Sequence, residues 1–167
     1  MHIKFIRDKA RVFPMVAAPL EVSSARVWHC KYETLAPLCQ FKNVQSLVIA
    51  NYPDQTFELL SGLSKLEALQ VLHLPGVTSL EPLSELQRLR RLSLSTLPSW
   101  DEAGKLTLVD SLAPLATLPV LEELELYGVV PQSRLADDLC RSLSLTRVRL
   151  SKYPKREQQK IRERFAA

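Results

Sequence analysis

The chain has 167 residues, enough for one domain with a sizeable core and too few for two large ones. Hydrophobic residues make up 46% and charged residues 24%, which excludes a disordered chain, and no apolar run approaches the roughly 20 residues of a membrane span. The net charge of +4 is concentrated in residues 152–164, which contain six Lys or Arg and two Glu. The rest of the chain is close to neutral, so we expect no general attraction to nucleic acids or membranes.

The N-terminal stretch, residues 1–23, is predicted to cap the fold. Its two short apolar segments, IKFI and RVF, are expected to form either a small hairpin or a lead strand. Arg7, Asp8 and Lys9 interrupt the apolar region that a secretory signal requires, and the three cysteines form no C-x-x-C pair. We therefore expect a cytoplasmic protein with reduced thiols, no disulfide framework and no zinc site.

A leucine-rich block recurs through residues 24–151. Four copies superimpose without a gap, at 34–49, 59–74, 79–94 and 111–126. A degenerate copy at 135–150 aligns only with a gap of about two residues, and residues 24–29 fit only the last part of the block. The best copies end in L-x-x-L-x-L, the alternation of a short strand with two inward leucines.

The spacing within one block excludes a regular helix or strand. Leucine occupies positions 80, 83, 86, 89, 92 and 94, and a step of three residues would scatter these side chains around an α-helix. Turns of 3₁₀ helix have this stride, so we predict a short strand followed by a return path of such turns, with the copies stacked around a shared core. An antiparallel bundle of leucine-rich helices is the alternative. The proline before most blocks and the L-x-L ending argue against it.

These blocks resemble the leucine-rich repeat family, most closely the internalin-type pattern. The residues that carry the resemblance are Pro37-Leu38, Pro82-Leu83 and Pro114-Leu115, each followed by the leucine ladder, whereas Gly62-Leu63 departs from it. The resemblance covers residues 24–153 and looks bacterial. It implies an α/β solenoid of about five to six coils, with a parallel β-sheet on the concave face and 3₁₀ or short helices on the convex side.

The whole chain, 1–167, is interpreted as a single repeat domain. Residues 1–23 form the N-terminal cap, 24–151 the repeats and 152–167 a C-terminal cap helix. This helix is predicted to begin at Pro154 and to place Ile161 and Phe165 against the last coil, because residues four apart lie on one helical face. A solvated basic tail is the alternative.

Candidate binding residues follow from aligning the strands at Val27, Leu47, Leu72, Leu92, Leu124 and Val148. Residues between the inward positions should lie on the concave face. Their sequence changes from apolar and aromatic to charged along the solenoid, and a patch of this kind indicates a partner. The candidates are Trp28, Val48, Val71, His73, Arg91, Glu125, Tyr127 and Arg149. In the alternative interpretation, the N-terminal cap folds over Trp28 and little of the patch is exposed.

The longest insertion between repeats, PSWDEAGKLTLVD, supplies one further candidate. Trp100 lies there beside Asp101 and Glu102. A tryptophan near carboxylates is typical of a protein interface, but this one could equally fill the end of a widened core.

The sequence contains no recognisable catalytic, phosphate-binding or metal-binding motif. His2, His29 and His73 are isolated, and neighbouring strand residues such as His29 and Cys30 point to opposite faces. We therefore predict no enzyme activity, no metal and no cofactor. The expected function is a non-catalytic module that binds a protein partner of unknown identity, for toxin neutralisation or as an adaptor or effector. The sequence leaves the oligomeric state open, and a monomer is favoured. A nucleic-acid-associated protein using the basic C-terminal helix is the alternative, although Glu157 and Glu163 interrupt that basic run.

Overall fold

One strand from each coil joins a single parallel sheet. The computed structural model describes residues 1–165, so residues 166–167 of the predicted cap lie outside the described part. The strands are β1 (His2–Ile6), β2 (Ser24–Trp28), β3 (Ser46–Ala50), β4 (Ala68–Leu72), β5 (Arg91–Ser95), β6 (Thr107–Val109), β7 (Glu123–Tyr127), β8 (Val129–Pro131) and β9 (Arg147–Ser151). Seven of them pair in the order β1-β2-β3-β4-β5-β7-β9, whereas β6 and β8 form a separate two-stranded sheet. The predicted parallel solenoid is confirmed.

Each return path between strands of the seven-stranded sheet contains a short helical turn, and a longer helix follows the last strand. The 3₁₀ segments are Pro19–Glu21, Ala36–Gln40, Glu81–Glu85 and Asp137–Arg141. The α-helical segments are α1 (Glu58–Ser61), α2 (Pro98–Glu102), α3 (Ala113–Ala116) and α4 (Lys155–Arg164). Proline stands in the first turn of most of them, where its fixed φ suits the helix and its missing N–H removes no helical hydrogen bond.

The three-residue spacing of the leucines matches the helical turns of these return paths. All six leucines between positions 80 and 94 are at most 2% exposed, although only the last two belong to a strand. The four earlier leucines enter the core from successive turns, and Leu92 and Leu94 enter it from alternate strand positions.

A hydroxyl residue fixes the start of four return paths. The side-chain oxygen accepts a hydrogen bond from the backbone N–H two residues later, at 3.0 to 3.2 Å, and so satisfies a donor that the turn leaves unpaired. These residues are Thr34, Thr56, Ser79 and Ser111. The equivalent position of the first coil is Val12, which cannot make this bond.

The strand register has a more regular period than the leucine blocks suggest. Register partners on the first four strands lie 22 residues apart, and the later steps are 23, 32 and 24 residues. The predicted register was wrong on two strands. Ala25 rather than Val27 pairs with Leu47, and Leu69 rather than Leu72 pairs with Leu92.

The corrected register of β4 changes the position of three predicted residues. Val71 was predicted to face solvent but points into the core and has no exposed surface. Leu72 was predicted to be internal but lies partly exposed on the solvent-facing side, and His73 follows the end of the strand. Leucines every three residues cause this error, because a shift of one step still aligns leucine with leucine.

Residues 1–23 form a coil of the same kind as the repeats. β1 runs parallel to β2, so the lead strand is observed rather than the hairpin. Phe13 occupies the column of Leu35 and is buried, with its ring centroid 4.8 Å from that of Phe5 and 5.0 Å from that of Tyr32.

The longest insertion is ordered against the turns that follow β5 and β7. It contains α2 and β6, and β6 pairs in parallel with β8. The Thr96 hydroxyl donates a hydrogen bond to Asp101 at 2.9 Å and anchors α2 to the end of β5. Gly128 at the end of β7 has a φ of +73°, and a Cβ there would collide with the Thr96 side chain. The corner therefore requires glycine.

Helix α4 covers the last coil through apolar and polar contacts. Ile161 is 1% exposed and Phe165 is 5% exposed, as expected for side chains packed on the core. The carboxylate of Glu157 is buried, accepts a hydrogen bond from the Ala136 N–H at 2.8 Å and lies 2.8 Å from the Lys160 ammonium. The Ala136 N–H first, and Lys160 next, lower the pKa of Glu157 below its ordinary value.

The first testable prediction concerns the core. Leu92→Ala removes a side chain that is 2% exposed and leaves a cavity shared by neighbouring coils, so the free energy of unfolding should fall by about 2–5 kcal/mol. Leu143→Ala is the matched control, because Leu143 is fully exposed and its loss should change stability by less than about 0.5 kcal/mol. Chemical denaturation measures both, and equal small effects would contradict the position of Leu92.

The second prediction concerns the bond between α4 and the preceding coil. The lowered pKa of Glu157 stabilises the fold above the ordinary pKa of 4.5, and this stabilisation is lost as pH falls through the lowered value. Glu157→Gln should therefore lower the melting temperature most at neutral pH and least in acid. Glu163→Gln, at an exposed position of the same helix, should show no such dependence. A melting-temperature difference that is constant with pH would contradict the role of Glu157.

Candidate functional site

Three rows of side chains cross the solvent-facing side of the seven-stranded sheet, here called the sheet face. Alternate residues of each strand point away from the core, and the register places one residue of every strand in each row. The first row is His2, Ser24, Ser46, Ala68, Arg91, Glu123 and Arg147. The middle row is Lys4, Arg26, Val48, Gln70, Ser93, Glu125 and Arg149. The third row is Ile6, Trp28, Ala50, Leu72, Ser95, Tyr127 and Ser151.

Ion pairs occupy the C-terminal end of the sheet face. Arg147 lies 3.6 Å from Glu123, and Arg149 lies 3.1 Å from Glu125, each across the β7–β9 pair. The Ser93 hydroxyl donates a further hydrogen bond to Glu125 at 3.2 Å. Half-exposed pairs of this kind contribute at most about 1 kcal/mol to stability. Their main consequence is an ordered array of charges that is available to a partner.

A shallow cleft crosses the middle of the sheet face between β3 and β7. Its volume is about 320 Å³, and apolar, amide, hydroxyl and charged groups line it. The solvent-facing side chains along it are Ser46, Val48, Ala68, Gln70, Arg91, Ser93, Glu123 and Glu125. Arg91 is exposed and has no carboxylate within 4.0 Å among the described residues, although its register partner is Glu123.

The first four strands contribute an apolar row, defined as Ile6, Trp28, Ala50 and Leu72. Ile6 is 49% exposed, Trp28 and Leu72 are partly exposed, and Ala50 between them is buried. The Arg26 guanidinium lies 4.2 Å from the centroid of the Trp28 ring, which places a cation over the face of the indole. An indole with a stacked guanidinium combines the two side-chain types that most often anchor protein interfaces.

His73 and Trp100 meet at the edge of the sheet face beyond β4. His73 has a φ of 64°, in the left-handed region, and its ring centroid lies 5.0 Å from that of Trp100 with the ring planes at 82°. Burial lowers the pKa of His73, so the neutral imidazole is favoured. The Lys105 ammonium lies 5.8 Å from the Trp100 centroid. Helix α2 therefore brings a partly exposed aromatic side chain to the sheet edge.

The structure brings together only some of the predicted residues. Val48, Glu125 and Arg149 share the middle row, whereas Trp28 and Tyr127 stand in the third row and Arg91 in the first. Val71 is internal, so it cannot join a surface patch. Sequence reasoning missed Arg26, Leu72 and Ile6, although a search for a 22-residue period in columns other than leucine would have aligned them.

The histidine, cysteine and carboxylate side chains of the described residues are not grouped as a metal site requires. No group of three or more His, Cys, Asp or Glu side chains between residues 1 and 165 is placed to hold a metal ion. The Cys30 thiol donates to the Phe5 carbonyl at 3.3 Å rather than to a histidine. No helix in the same range has both the length and the apolarity needed to span a bilayer.

Comparison with known proteins identifies the fold. No family model and no curated protein matches this chain. An internalin from Listeria monocytogenes strain 4b F2365 has a similar structure, with a TM-score of 0.51 and 14% sequence identity over 87% of this chain and 46% of the internalin. The fold is a leucine-rich repeat solenoid. An internalin C2 from the same strain is 21% identical over 79% of this chain and 66% of its own, with a TM-score of 0.42. The chain thus spans about half the length of the first internalin.

The leucine-rich repeat and its internalin-like pattern, predicted from the Pro-Leu pairs, are therefore confirmed. A sequence identity of 14% to the first internalin supports a shared fold and nothing about shared binding residues. The binding residues are therefore inferred from the side chains of this chain.

The third prediction tests the contact between His73 and Trp100. Trp100→Ala should raise the pKa of His73 toward its ordinary value, because the ring that shields the imidazole from water is removed. Trp28→Ala is the matched control, because Trp28 lies against His29 at 5.2 Å and should leave His73 unchanged. NMR titration of the histidine ring protons measures both, and an unchanged pKa in Trp100→Ala would show that another group buries His73.

Proposed function

We propose that this leucine-rich repeat protein is a non-catalytic binding module that holds a protein partner on its sheet face. The observation that carries the proposal is the apolar row beside an ordered array of charges. Trp28, partly exposed and stacked under Arg26, lies in that row. Large apolar side chains on the open face of a sheet are costly in water unless another surface covers them.

The two kinds of side chain on the sheet face have different roles in the proposed complex. The apolar row supplies most of the affinity, because a few desolvated aromatic and arginine anchors carry most interface energy. Arg91, Glu125 and Arg149 supply orientation and partner selection, since charges at the rim act more on association rate and specificity than on affinity. Val48 and Tyr127 complete the contact surface, and Trp100 with His73 extends it to the sheet edge.

The alternative, nucleic-acid binding through α4, receives no support from the contacts of that helix. Its central cation, Lys160, lies 2.6 Å from Asp137 and 2.8 Å from Glu157, so it already has two carboxylate partners. The basic residues of α4 are better explained as the solvated side of a cap.

The cellular role follows from the partner and belongs to the same proposal. We place the module in a bacterial cytoplasm, where toxin neutralisation, assembly of a complex and action as an effector are the three candidate roles. A toxin bound on the sheet face would indicate neutralisation, and a subunit of a complex would indicate assembly. A host protein bound there would indicate an effector.

The fourth prediction tests the sheet face. The partner is captured on the immobilised chain and purified, and its affinity is then measured by calorimetry for wild type and two variants. Trp28→Ala should weaken binding about thirtyfold or more, which corresponds to about 2 kcal/mol, while the melting temperature changes little. Leu143→Ala, in the exposed segment between Asp137–Arg141 and β9 and outside the three rows of the sheet face, is the control and should bind as wild type does.

Two outcomes would contradict the proposed function. If Trp28→Ala and the control bind equally well, the partner does not use the apolar row. If affinity falls steeply with salt and replacement of the exposed Arg156 and Arg162 by Gln abolishes it, the basic helix is the site and a nucleic acid becomes the better candidate.

A further inference from the structure

The edge strand β1 has backbone groups that no other part of the described chain uses. Backbone groups of a strand alternate between its two sides, and Met1 and Arg7 bond toward β2, through Met1 O to Ser23 N at 2.8 Å and Arg7 N to Trp28 O at 2.8 Å. The N–H and C=O groups of the alternate residues therefore face away from the sheet. Among the described residues, no turn or loop bonds to the backbone of His2, Lys4 or Ile6.

The core is also less completely covered at β1 than elsewhere. Ile3 and Phe5 point inward but are only partly buried, whereas Leu47 and Ile49 at the equivalent positions of β3 are at most 1% exposed. At the opposite end of the solenoid, α4 covers the last coil. Within residues 1–165 the two ends therefore differ, and the described residues leave apolar surface uncovered at β1.

The first coil carries most of the large apolar side chains that the described chain exposes. Five of the eight fall within residues 1–20, with exposures of 49 to 98%. They are Met1, Ile6, Val12, Met15 and Leu20. Val12 stands where four later coils have Thr or Ser and the last coil has Leu135, so both end coils have an exposed apolar residue at this position.

The charges around β1 select the kind of segment that would cover it. Lys4 and Arg26 are register partners on the sheet face, and like charges side by side are unfavourable. Neither these two side chains nor Arg7 has a carboxylate within 4.0 Å among the described residues, whose ion pairs lie elsewhere. The edge therefore combines unused strand hydrogen bonds, incompletely covered apolar groups and unpaired cations.

We propose that β1 accepts an extended segment of a partner protein as an added strand, with acidic and apolar residues alternating along it. The acidic side chains would lie on the sheet face near Lys4, and the apolar ones would cover Ile3 and Phe5. A second copy of the chain fits less well. Antiparallel pairing of β1 with itself about its centre would place Lys4 against Lys4.

This edge site is independent of the partner on the sheet face, because β1 can bind through its backbone whether or not Trp28 is an anchor. The probe is a synthetic peptide of about nine residues in which glutamate alternates with valine, with proline at each end to prevent self-assembly. A peptide with lysine in place of glutamate is its control. In two further versions of the glutamate peptide, every second backbone amide is N-methylated. One version has the odd-numbered amides methylated and the other has the even-numbered ones.

Binding is measured by fluorescence anisotropy to the 167-residue chain. The glutamate peptide should bind more tightly than the lysine peptide, and methylation of only one set of amides should abolish binding, because only one edge of the added strand faces β1. If both methylated versions bind as well as the parent, no strand is added and the proposal fails. Equal binding of the glutamate and lysine peptides would overturn the assigned charge preference.

Three substitutions of Lys4 locate the site on β1. Lys4→Pro removes a backbone N–H that faces away from β2, so it leaves the β1–β2 hydrogen bonds intact. It should weaken binding of the glutamate peptide by about tenfold or more. Lys4→Ala keeps the N–H and should weaken it by only about two- to fivefold. Lys4→Glu should reverse the preference between the two peptides.

Circular dichroism establishes that each variant remains folded, and the methylated peptides test wild type without any substitution. If Lys4→Pro is folded and binds the glutamate peptide as wild type does, β1 is not the site. If the wild-type chain dimerises in analytical ultracentrifugation and Lys4→Pro is monomeric, the occupant is a second copy and the proposed partner is wrong. If Trp28→Ala abolishes binding of the peptide and Lys4→Pro does not, the peptide occupies the sheet face instead.

Discussion

No coil of this protein can bury its own leucines, and the rest of the structure depends on this constraint. A single turn of strand and return path places its apolar side chains in one layer, with both sides of that layer open. Stacking closes the layers against each other, and the parallel strands then pair in chain order, with β6 set aside in the long insertion. The same constraint leaves two exposed ends, and the chain covers them unequally.

The arrangement of the sheet face follows from the same stacking. Because every strand contributes to the same three rows, side chains far apart in sequence become lateral neighbours about 4.8 Å apart. Glu125 and Arg149 pair in this way, and so do the cationic neighbours Lys4 and Arg26. The rows thus change gradually from one end to the other, and a partner that spans several coils meets apolar groups at one end and ion pairs at the other.

The solenoid could be predicted from the sequence because several leucine-rich blocks show the same pattern. The register of each strand, in contrast, depended on the choice of a single residue in that strand. Leu69-x-Val71 and Leu72-x-Leu74 both fit a strand ending, and only the 22-residue period shows that the first is correct. The first coil was missed because Phe13, Pro19 and Ala25 replace leucine in its columns. The approach of Trp100 to His73 depends on how the insertion folds, which no repeat pattern specifies.

The difference between the two ends of the solenoid affects the order in which its coils can fold during synthesis. Because synthesis runs from the N-terminal side, the incompletely covered coil of β1 is made before α4. Contacts between neighbouring coils allow each new coil to add to the previous one during synthesis, so loop closure stays local and folding needs no distant partner segment. The Glu157 carboxylate can accept the hydrogen bond from Ala136 only after residues 136–157 have been synthesised. Until then, the coil that ends in β9 lacks the helix that covers its core.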